Sequence, residues 1–190
     1  MLVAATIGLV EEKGLDGVSV REVAKRAGVS SGAPFRHFPT RVALLTAVAE
    51  DAMDRLLATI DDAFAEAEGE SAIRRYRAIG LGFLRWAITH RTHFQVISTR
   101  DVIVFGSSSL SGRHQALQVR MRDLLDEAAQ AGELRGDPAL QMIAGRAMVY
   151  GLARMLLDGQ FPSWGLPEED ALATSVRVLD AYIASISRGG

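Results

Sequence analysis

The segment from Gly28 to Leu45, "GVSSGAPFRHFPTRVALL", decides the fold of this chain. Small residues and a proline stand directly before an aromatic–basic cluster, and helical apolar spacing then resumes. The preceding residues fit a short helix, because Ser19 and Glu22 match a capping box and Gly28 is a typical residue for a helix C-terminus. Two helical segments joined by a three-residue turn that contains glycine predict a helix-turn-helix motif.

The second helix of this motif is expected to begin after Ser30 or Ser31. Pro34 then falls in its first turn, where a missing N–H costs little. Ser31, Gly32 and Ala33 are small enough for the helix N-terminus to approach DNA closely, and its free N–H groups suit a phosphate. The alternative is a three-helix core whose charges are merely solvated.

The rest of the chain has helical periodicity almost throughout, which predicts an all-α fold of about nine helices. Thr40 and the Asp137-Pro138 pair fit helix starts, while residues 99–113 interrupt the pattern. We expect a helix-turn-helix DNA-binding domain over residues 1–47 and a helical effector-binding and dimerisation domain over residues 48–190. The first carries six basic and four acidic residues, a net charge of +2, and the second fifteen and nineteen, a net charge of −4.

Composition excludes several classes of protein. The chain has 190 residues, of which 48% are hydrophobic and 23% charged, as in a soluble globular protein. It has no cysteine, which excludes disulfides and thiolate chemistry and agrees with the cytoplasmic location that we expect. Neither a secretory leader nor an apolar run long enough to cross a membrane is evident. The net charge of −2 argues against a protein that coats DNA without specificity.

The motif also resembles the DNA-binding domain of the TetR family of bacterial transcriptional regulators. The resemblance rests on Ser19, the turn Ala27-Gly28-Val29-Ser30, Phe35, the pair His37-Phe38, and Arg41. Family members usually have tyrosine where this chain has Phe35. The resemblance implies DNA contacts from Val20, Arg21, Ser31, Gly32, Ala33, Phe35 and Arg41.

Two helices near the C-terminus have features of a subunit interface. The positions Leu172, Val176, Leu179, Ile183 and Ile186 follow the spacing of a coiled-coil seam, and Ala144, Ala147 and Gly151 leave one face of the preceding helix small. Two such helices from each subunit would form a four-helix bundle, which predicts a homodimer. The alternative is that both stripes pack within one subunit.

The effector site is less defined by the sequence. Gly80 and Gly82 lie inside a helix, where each is unfavourable by about 1 kcal/mol relative to alanine, so a neighbouring backbone or a ligand is expected to come close. An apolar cavity could be lined by Tyr76, Phe83, Trp86, Phe94, Met121 and Met148, although each of these residues also fits an ordinary core.

These features predict a sequence-specific regulator, a repressor released from a palindromic operator by an unidentified small molecule. The alternatives are a ligand-independent DNA-binding protein and an all-α enzyme. The enzyme is disfavoured because neither a phosphate-binding loop nor a serine nucleophile motif is present. His90 and His93 have a spacing that could share a metal, but no carboxylate motif accompanies them. We therefore expect no catalytic residues, metal or cofactor.

Overall fold

The computed structural model describes residues 1–106 and 108–188 of the chain. This part is helical, with one isolated antiparallel bridge between Leu134 and Ser187. It contains eight α-helices, close to the nine expected: α1 (Leu2–Lys13), α2 (Val20–Arg26), α3 (Arg41–Ala65), α4 (Ala72–Thr89), α5 (Arg91–Ser98), α6 (Ser108–Gln130), α7 (Pro138–Leu157) and α8 (Ala171–Ile186). Short 3-10 helices occupy Leu15–Gly17, Pro34–Arg36, Arg100–Val102, Phe161–Trp164 and Glu168–Asp170. None of the described helices is both long enough and apolar enough to cross a membrane.

The chain divides into two compact units. The first unit comprises residues 1–54 and 90–113, and the second comprises residues 55–89 and 114–190. In the first unit, α1 packs against α2 and α5. The core of this unit includes Val23 of α2 and Leu44, Leu45 and Val48 of α3, all without exposed surface.

In the second unit, α4 packs against α7 and α8, which also pack against each other. Gly82 of α4 explains part of this packing, because a Cβ there would lie 2.6 Å from the Ile60 Cα and 3.0 Å from the Thr59 carbonyl oxygen. At Gly80, an added Cβ would lie 3.1 Å from a methyl carbon of Leu179. Both glycines are therefore accounted for by neighbouring protein atoms.

The helix ends follow the sequence predictions closely. The hydroxyl oxygen of Ser19 accepts a hydrogen bond from the Glu22 N–H at 3.2 Å, and that of Thr40 accepts from the Ala43 N–H at 3.0 Å. The Glu22 carboxylate, expected to reach back to Ser19, instead accepts from Lys13 Nζ at 2.8 Å. The side chain of Asp137 accepts from the Leu140 N–H at 2.9 Å, which begins α7 as predicted.

Two local predictions need correction. The irregular segment predicted over residues 99–113 is shorter, because α6 already begins at Ser108; residue 107 lies outside the described residues. The segment between His90 and Thr99, to which no helix was assigned, forms α5.

The predicted seam of α8 is largely covered within the chain. Leu179, Ile183 and Ile186 are 3%, 8% and 4% exposed, so they form core rather than a free face. Periodicity identifies an apolar stripe without identifying what covers it, which is why the sequence left both possibilities open.

Candidate nucleic-acid interface

The turn after α2 has the conformation that a helix-turn-helix requires. Gly28 has a φ of +67°, in the left-handed region that favours glycine. Its N–H donates to the Lys25 carbonyl at 3.2 Å, and the Val29 N–H donates to the Ala24 carbonyl at 3.1 Å. This pair of bonds is a Schellman motif, which ends α2 and turns the chain toward Ser30.

The second helix of the motif, expected to begin after Ser30 or Ser31, is not a regular α-helix but a turn followed by one short 3-10 helix. Residues 31–33 form a turn, and the 3-10 helix Pro34–Arg36 follows. Pro34 has no N–H for the Ser30 carbonyl, which instead accepts from the Ala33 N–H at 3.0 Å. The Phe38 N–H then donates to the Pro34 carbonyl at 2.7 Å and closes the segment.

This segment presents its small and aromatic residues to solvent. Ser31, Gly32 and Ala33 are exposed, and Phe35 is 45% exposed, whereas Pro34 is buried beneath them. The exposed groups agree with those that the sequence analysis assigned to DNA. A groove of about 500 Å3 borders the segment and is lined by Met1, Leu2, Val29, Ser30, Gly32, Ala33, Arg36 and His37.

Apart from Arg41, the basic side chains of residues 1–47 fall into two groups. Lys13 lies 2.8 Å from a Glu22 carboxylate oxygen, and Arg26 lies 2.6 Å from one of Glu12. Hydrogen bonds from Lys13 and Arg26, together with their charges, lower the pKa values of the Glu22 and Glu12 carboxyls, so both pairs are neutralised internally.

The second group of basic side chains is not paired with carboxylates in the described part of the chain. Arg21, Lys25 and Arg36 are exposed, and within the described part of the chain none has a carboxylate oxygen within 4 Å. These three cations therefore supply the positive potential available to a phosphate backbone. Sequence reasoning omitted Lys25 and Arg36 from its predicted contacts, although the aromatic–basic cluster around Arg36 was the signal that could have included the latter.

Two residues predicted to contact DNA are placed differently from the others. The side chain of Val20 is 7% exposed and belongs to the core, so only the backbone of this first residue of α2 can face a ligand. The guanidinium of Arg41 is directed onto the protein, where its Nη2 donates to the Leu15 carbonyl at 2.9 Å.

The six predicted effector-lining residues do not share one unit. Tyr76, Phe83 and Trp86 are buried side chains of α4 in the second unit, and the rings of the last two are 5.9 Å apart. Met121 of α6 and Met148 of α7 are half-buried in the same unit. Phe94 is a buried residue of α5 in the first unit.

A charged group that sequence reasoning missed accompanies the aromatic residues of α4. The guanidinium carbon of Arg146 on α7 lies 4.7 Å from the ring centre of Phe83 and 5.1 Å from that of Tyr150. At these distances the cation interacts favourably with both ring faces. The second unit therefore combines a buried aromatic cluster with a cation beside Phe83.

A polar cluster joins α4, α7 and α8 in the same unit. The Tyr182 hydroxyl donates to the Gln141 carbonyl at 2.6 Å, and the Tyr76 hydroxyl donates to the same oxygen at 3.4 Å. Gly145 allows this approach, because a Cβ on it would lie 2.5 Å from the Tyr76 hydroxyl oxygen. Burial raises the pKa values of Tyr76 and Tyr182, so both phenols stay protonated well above neutral pH.

The histidine pair considered as a metal site has another arrangement. His93 is 7% exposed, and its Nε2 lies 2.9 Å from an Asp51 carboxylate oxygen. The His90 and His93 rings contact edge to face at 5.6 Å. Across residues 1–106 and 108–188, no three or more histidine, aspartate or glutamate side chains are grouped as a metal would require.

Comparison with known proteins assigns both parts of the chain. Residues 2–48 match the family of bacterial regulatory proteins of the TetR type, and residues 76–182 match the tetracyclin repressor-like C-terminal domain. The chain belongs to the TetR family. The first of the two matches covers the helix-turn-helix described above.

Individual relatives agree with this assignment. The HTH-type transcriptional regulator CymR of Pseudomonas putida is 47% identical over 49 residues, which cover 26% of this chain and 24% of that protein. The match thus spans about a quarter of the length of that curated relative.

Two solved structures extend the likeness to the whole fold. A protein of unknown function from Rhodococcus sp. RHA1 is similar with a TM-score of 0.78 and 28% identity, covering 98% of this chain and 94% of that one. The regulator FadR from Bacillus subtilis, solved in complex with stearoyl-CoA, is similar with a TM-score of 0.71 and 17% identity, covering 97% of each chain. At that identity the likeness to FadR shows the fold alone.

Proposed function

We propose that this TetR-family regulator is a cytoplasmic homodimeric repressor that binds a palindromic operator and leaves it when a small molecule binds. The observation that carries the proposal is the largely exposed segment 31–37, which contains Arg36, together with Arg21 and Lys25 of α2; none of the three has a carboxylate partner in the described part of the chain. Base contacts specify a sequence and phosphate contacts position the protein, and this surface offers groups for both.

The proposed DNA contacts fall into two classes. Ser31, Gly32, Ala33 and Phe35 would approach base edges in the major groove, because they are small or apolar and exposed. Arg21 would bind phosphates together with Lys25 and Arg36, and Val20 would contribute through its backbone alone. Arg41, which the resemblance assigns to DNA, differs from these residues because its guanidinium donates to the Leu15 carbonyl.

A homodimer is supported by an apolar stripe on α7. Leu140 is 71% exposed and Ile143 is 63% exposed, and the exposed Ala144 and Ala147 continue the same helix face. Large side chains of this kind are rarely left in water on a helix that already packs on one side. A two-fold dimer would present two helix-turn-helix motifs to half-sites one turn of DNA apart, about 34–36 Å.

The second unit is the proposed effector-binding part. Its aromatic side chains on α4, with Arg146 beside Phe83, favour an apolar molecule with a negatively charged or polar end. Such a ligand would act by binding more tightly to a conformation that does not fit the operator, which shifts the population away from DNA.

The experiment that tests this function is selection of genomic fragments by the purified protein, followed by fluorescence anisotropy on the selected fragment over a salt series. We expect a short palindromic site bound at least about a thousandfold more tightly than bulk DNA. Equal binding to all fragments would favour a ligand-independent DNA-coating protein, and the absence of DNA binding would contradict the proposal.

A further inference from the structure

Arg41 is the first residue of α3, and its guanidinium is held by the turn that connects α1 to α2. Its Nη2 donates to the Leu15 carbonyl at 2.9 Å and lies 3.2 Å from an Asp16 carboxylate oxygen. Its Nε is buried and has no hydrogen-bond partner within the described part of the chain. The stem of the side chain is therefore packed against protein, and the charged end is engaged before any DNA is present.

The position of this cation needs a local explanation. The N-terminus of a helix carries a partial positive charge, so an arginine at the first residue of α3 is electrostatically unfavourable there. The Leu15 carbonyl and the Asp16 carboxylate offset that cost, and a charge-assisted hydrogen bond is stronger than a neutral one.

The contact fixes the residues that lead into α2. The 3-10 turn Leu15–Gly17 continues into Val18, which is 2% exposed, and then into Ser19, the N-cap of α2. Arg21 follows in the first turn of that helix. Holding Leu15 against the start of α3 thus sets the position of the α2 N-terminus.

We propose that Arg41 is a positioning residue, which fixes the start of α2 and thereby the register in which segment 31–37 meets the operator, and is not principally a phosphate contact. The inference rests on the proposed DNA-binding function. A lysine at position 41 would keep the positive charge but not the guanidinium whose Nη2 donates to the turn. Arg41→Lys therefore separates the geometry from the charge.

The test compares Arg41→Lys and Arg41→Ala with Arg36→Ala, a substitution at an exposed cation without a carboxylate partner in the described part of the chain. Wild-type protein must first select a fragment, because failure at that step would count against the proposed function and not against this inference. Affinity for the selected fragment and for bulk DNA is then measured by anisotropy over a salt series, with circular dichroism to establish that each variant is folded.

We expect both Arg41 variants to lose about tenfold to a hundredfold in affinity for the selected fragment, the factor for one charge-assisted hydrogen bond. Their affinity for bulk DNA and their salt slope should remain close to wild type. The salt slope of Arg36→Ala should instead fall by about one. A variant that was merely less folded would lose specific and bulk binding together.

Two results would overturn the inference. One is wild-type binding by Arg41→Lys together with a salt slope reduced by about one in Arg41→Ala, as a phosphate contact requires. The other is wild-type affinity in both variants. Should neither variant fold, the mobility of the Arg41 guanidinium is measured from its side-chain 15N resonance in the wild-type protein, with and without DNA. A restrained guanidinium before DNA is added supports positioning, and one that becomes restrained only with DNA contradicts it.

Discussion

Gly82 of α4 lies directly against Ile60 of α3, so that a Cβ on Gly82 would be 2.6 Å from the Ile60 Cα. A backbone atom cannot move aside as the end of a flexible side chain can. We therefore expect Gly82→Ala to force the two helices apart and to destabilise the protein by about 1–3 kcal/mol. Urea unfolding followed by circular dichroism measures this change.

Gly112 of α6 provides the matched control for that substitution. It is also a helical glycine, but an added Cβ there would have no neighbour within 4 Å. Gly112→Ala should leave stability unchanged or raise it by up to about 1 kcal/mol, because alanine is the better helix former. Equal effects of the two substitutions would show that the approach to Ile60 is not what requires glycine at position 82.

The N-cap of α2 gives a second prediction. Since the Ser19 hydroxyl accepts from the Glu22 N–H, Ser19→Ala should reduce the free energy of unfolding by about 1 kcal/mol. For a chain of this size that is a fall of about 2–4 °C in Tm. Ser19→Asp keeps an acceptor and should retain wild-type stability in the same measurement. An alanine variant as stable as wild type would contradict the role of the cap.

The helix ends were predictable because their causes are local. A hydroxyl or carboxylate at the N-cap reaches an N–H three residues ahead, as Ser19, Thr40 and Asp137 do, and Gly28 is required by its own positive φ. Such features depend on a few consecutive residues and not on the rest of the fold.

Features that depend on distant neighbours could not be predicted. The apolar stripe of α8 is present as predicted, but its Leu179 packs against Gly80 of α4. The spacing of residues in α8 alone does not reveal this contact. The resemblance likewise implied a DNA contact for Arg41, whereas the direction of its side chain is set by a hydrogen bond to the Leu15 carbonyl, 26 residues earlier. The residues proposed to face DNA were therefore named from the sequence, whereas the direction of the Arg41 side chain required the structure.

The buried phenol of Tyr76 predicts how stability depends on alkaline pH. Burial raises its pKa above the ordinary value of 10.0, and burial also raises the pKa of Tyr182. As the pH rises through 10, the unfolded chain therefore releases protons that the folded chain retains, and stability must fall. Tyr76→Phe removes one such group, so its Tm should decline less steeply than that of wild type between about pH 9 and 11.

The comparison for Tyr76 uses the slope of Tm against pH and not the absolute Tm, because the substitution also removes a long hydrogen bond to the Gln141 carbonyl. A Tyr76→Phe slope as steep as that of wild type would be inconsistent with a buried phenol as the cause.

Ala33 gives a prediction about sequence preference. It is exposed in the turn before Pro34, where a larger side chain would meet whatever lies against the segment. We expect Ala33→Leu to select a different set of genomic fragments, with the preferred site of wild type weakened by about 1–3 kcal/mol per altered base pair. Ala173→Leu, an exposed position on α8, should select the wild-type fragments. An unchanged preference in Ala33→Leu would place the segment outside the groove.

The exposed stripe of α7 predicts how the proposed dimer can be broken. Leu140 and Ile143 would be buried in a two-fold interface, and a carboxylate buried there without a partner is strongly unfavourable. The double variant Leu140→Glu/Ile143→Glu should therefore sediment as a monomer at concentrations where wild type sediments as a dimer. It should also lose most of its affinity for the full palindrome, because each half-site would then be bound separately. Val119→Glu, at a position 50% exposed on α6, adds one carboxylate elsewhere on the second unit and should leave the dimer intact. A double variant that stays dimeric would mean that the subunits associate through another surface, while a wild-type monomer would remove the basis for a two-fold operator.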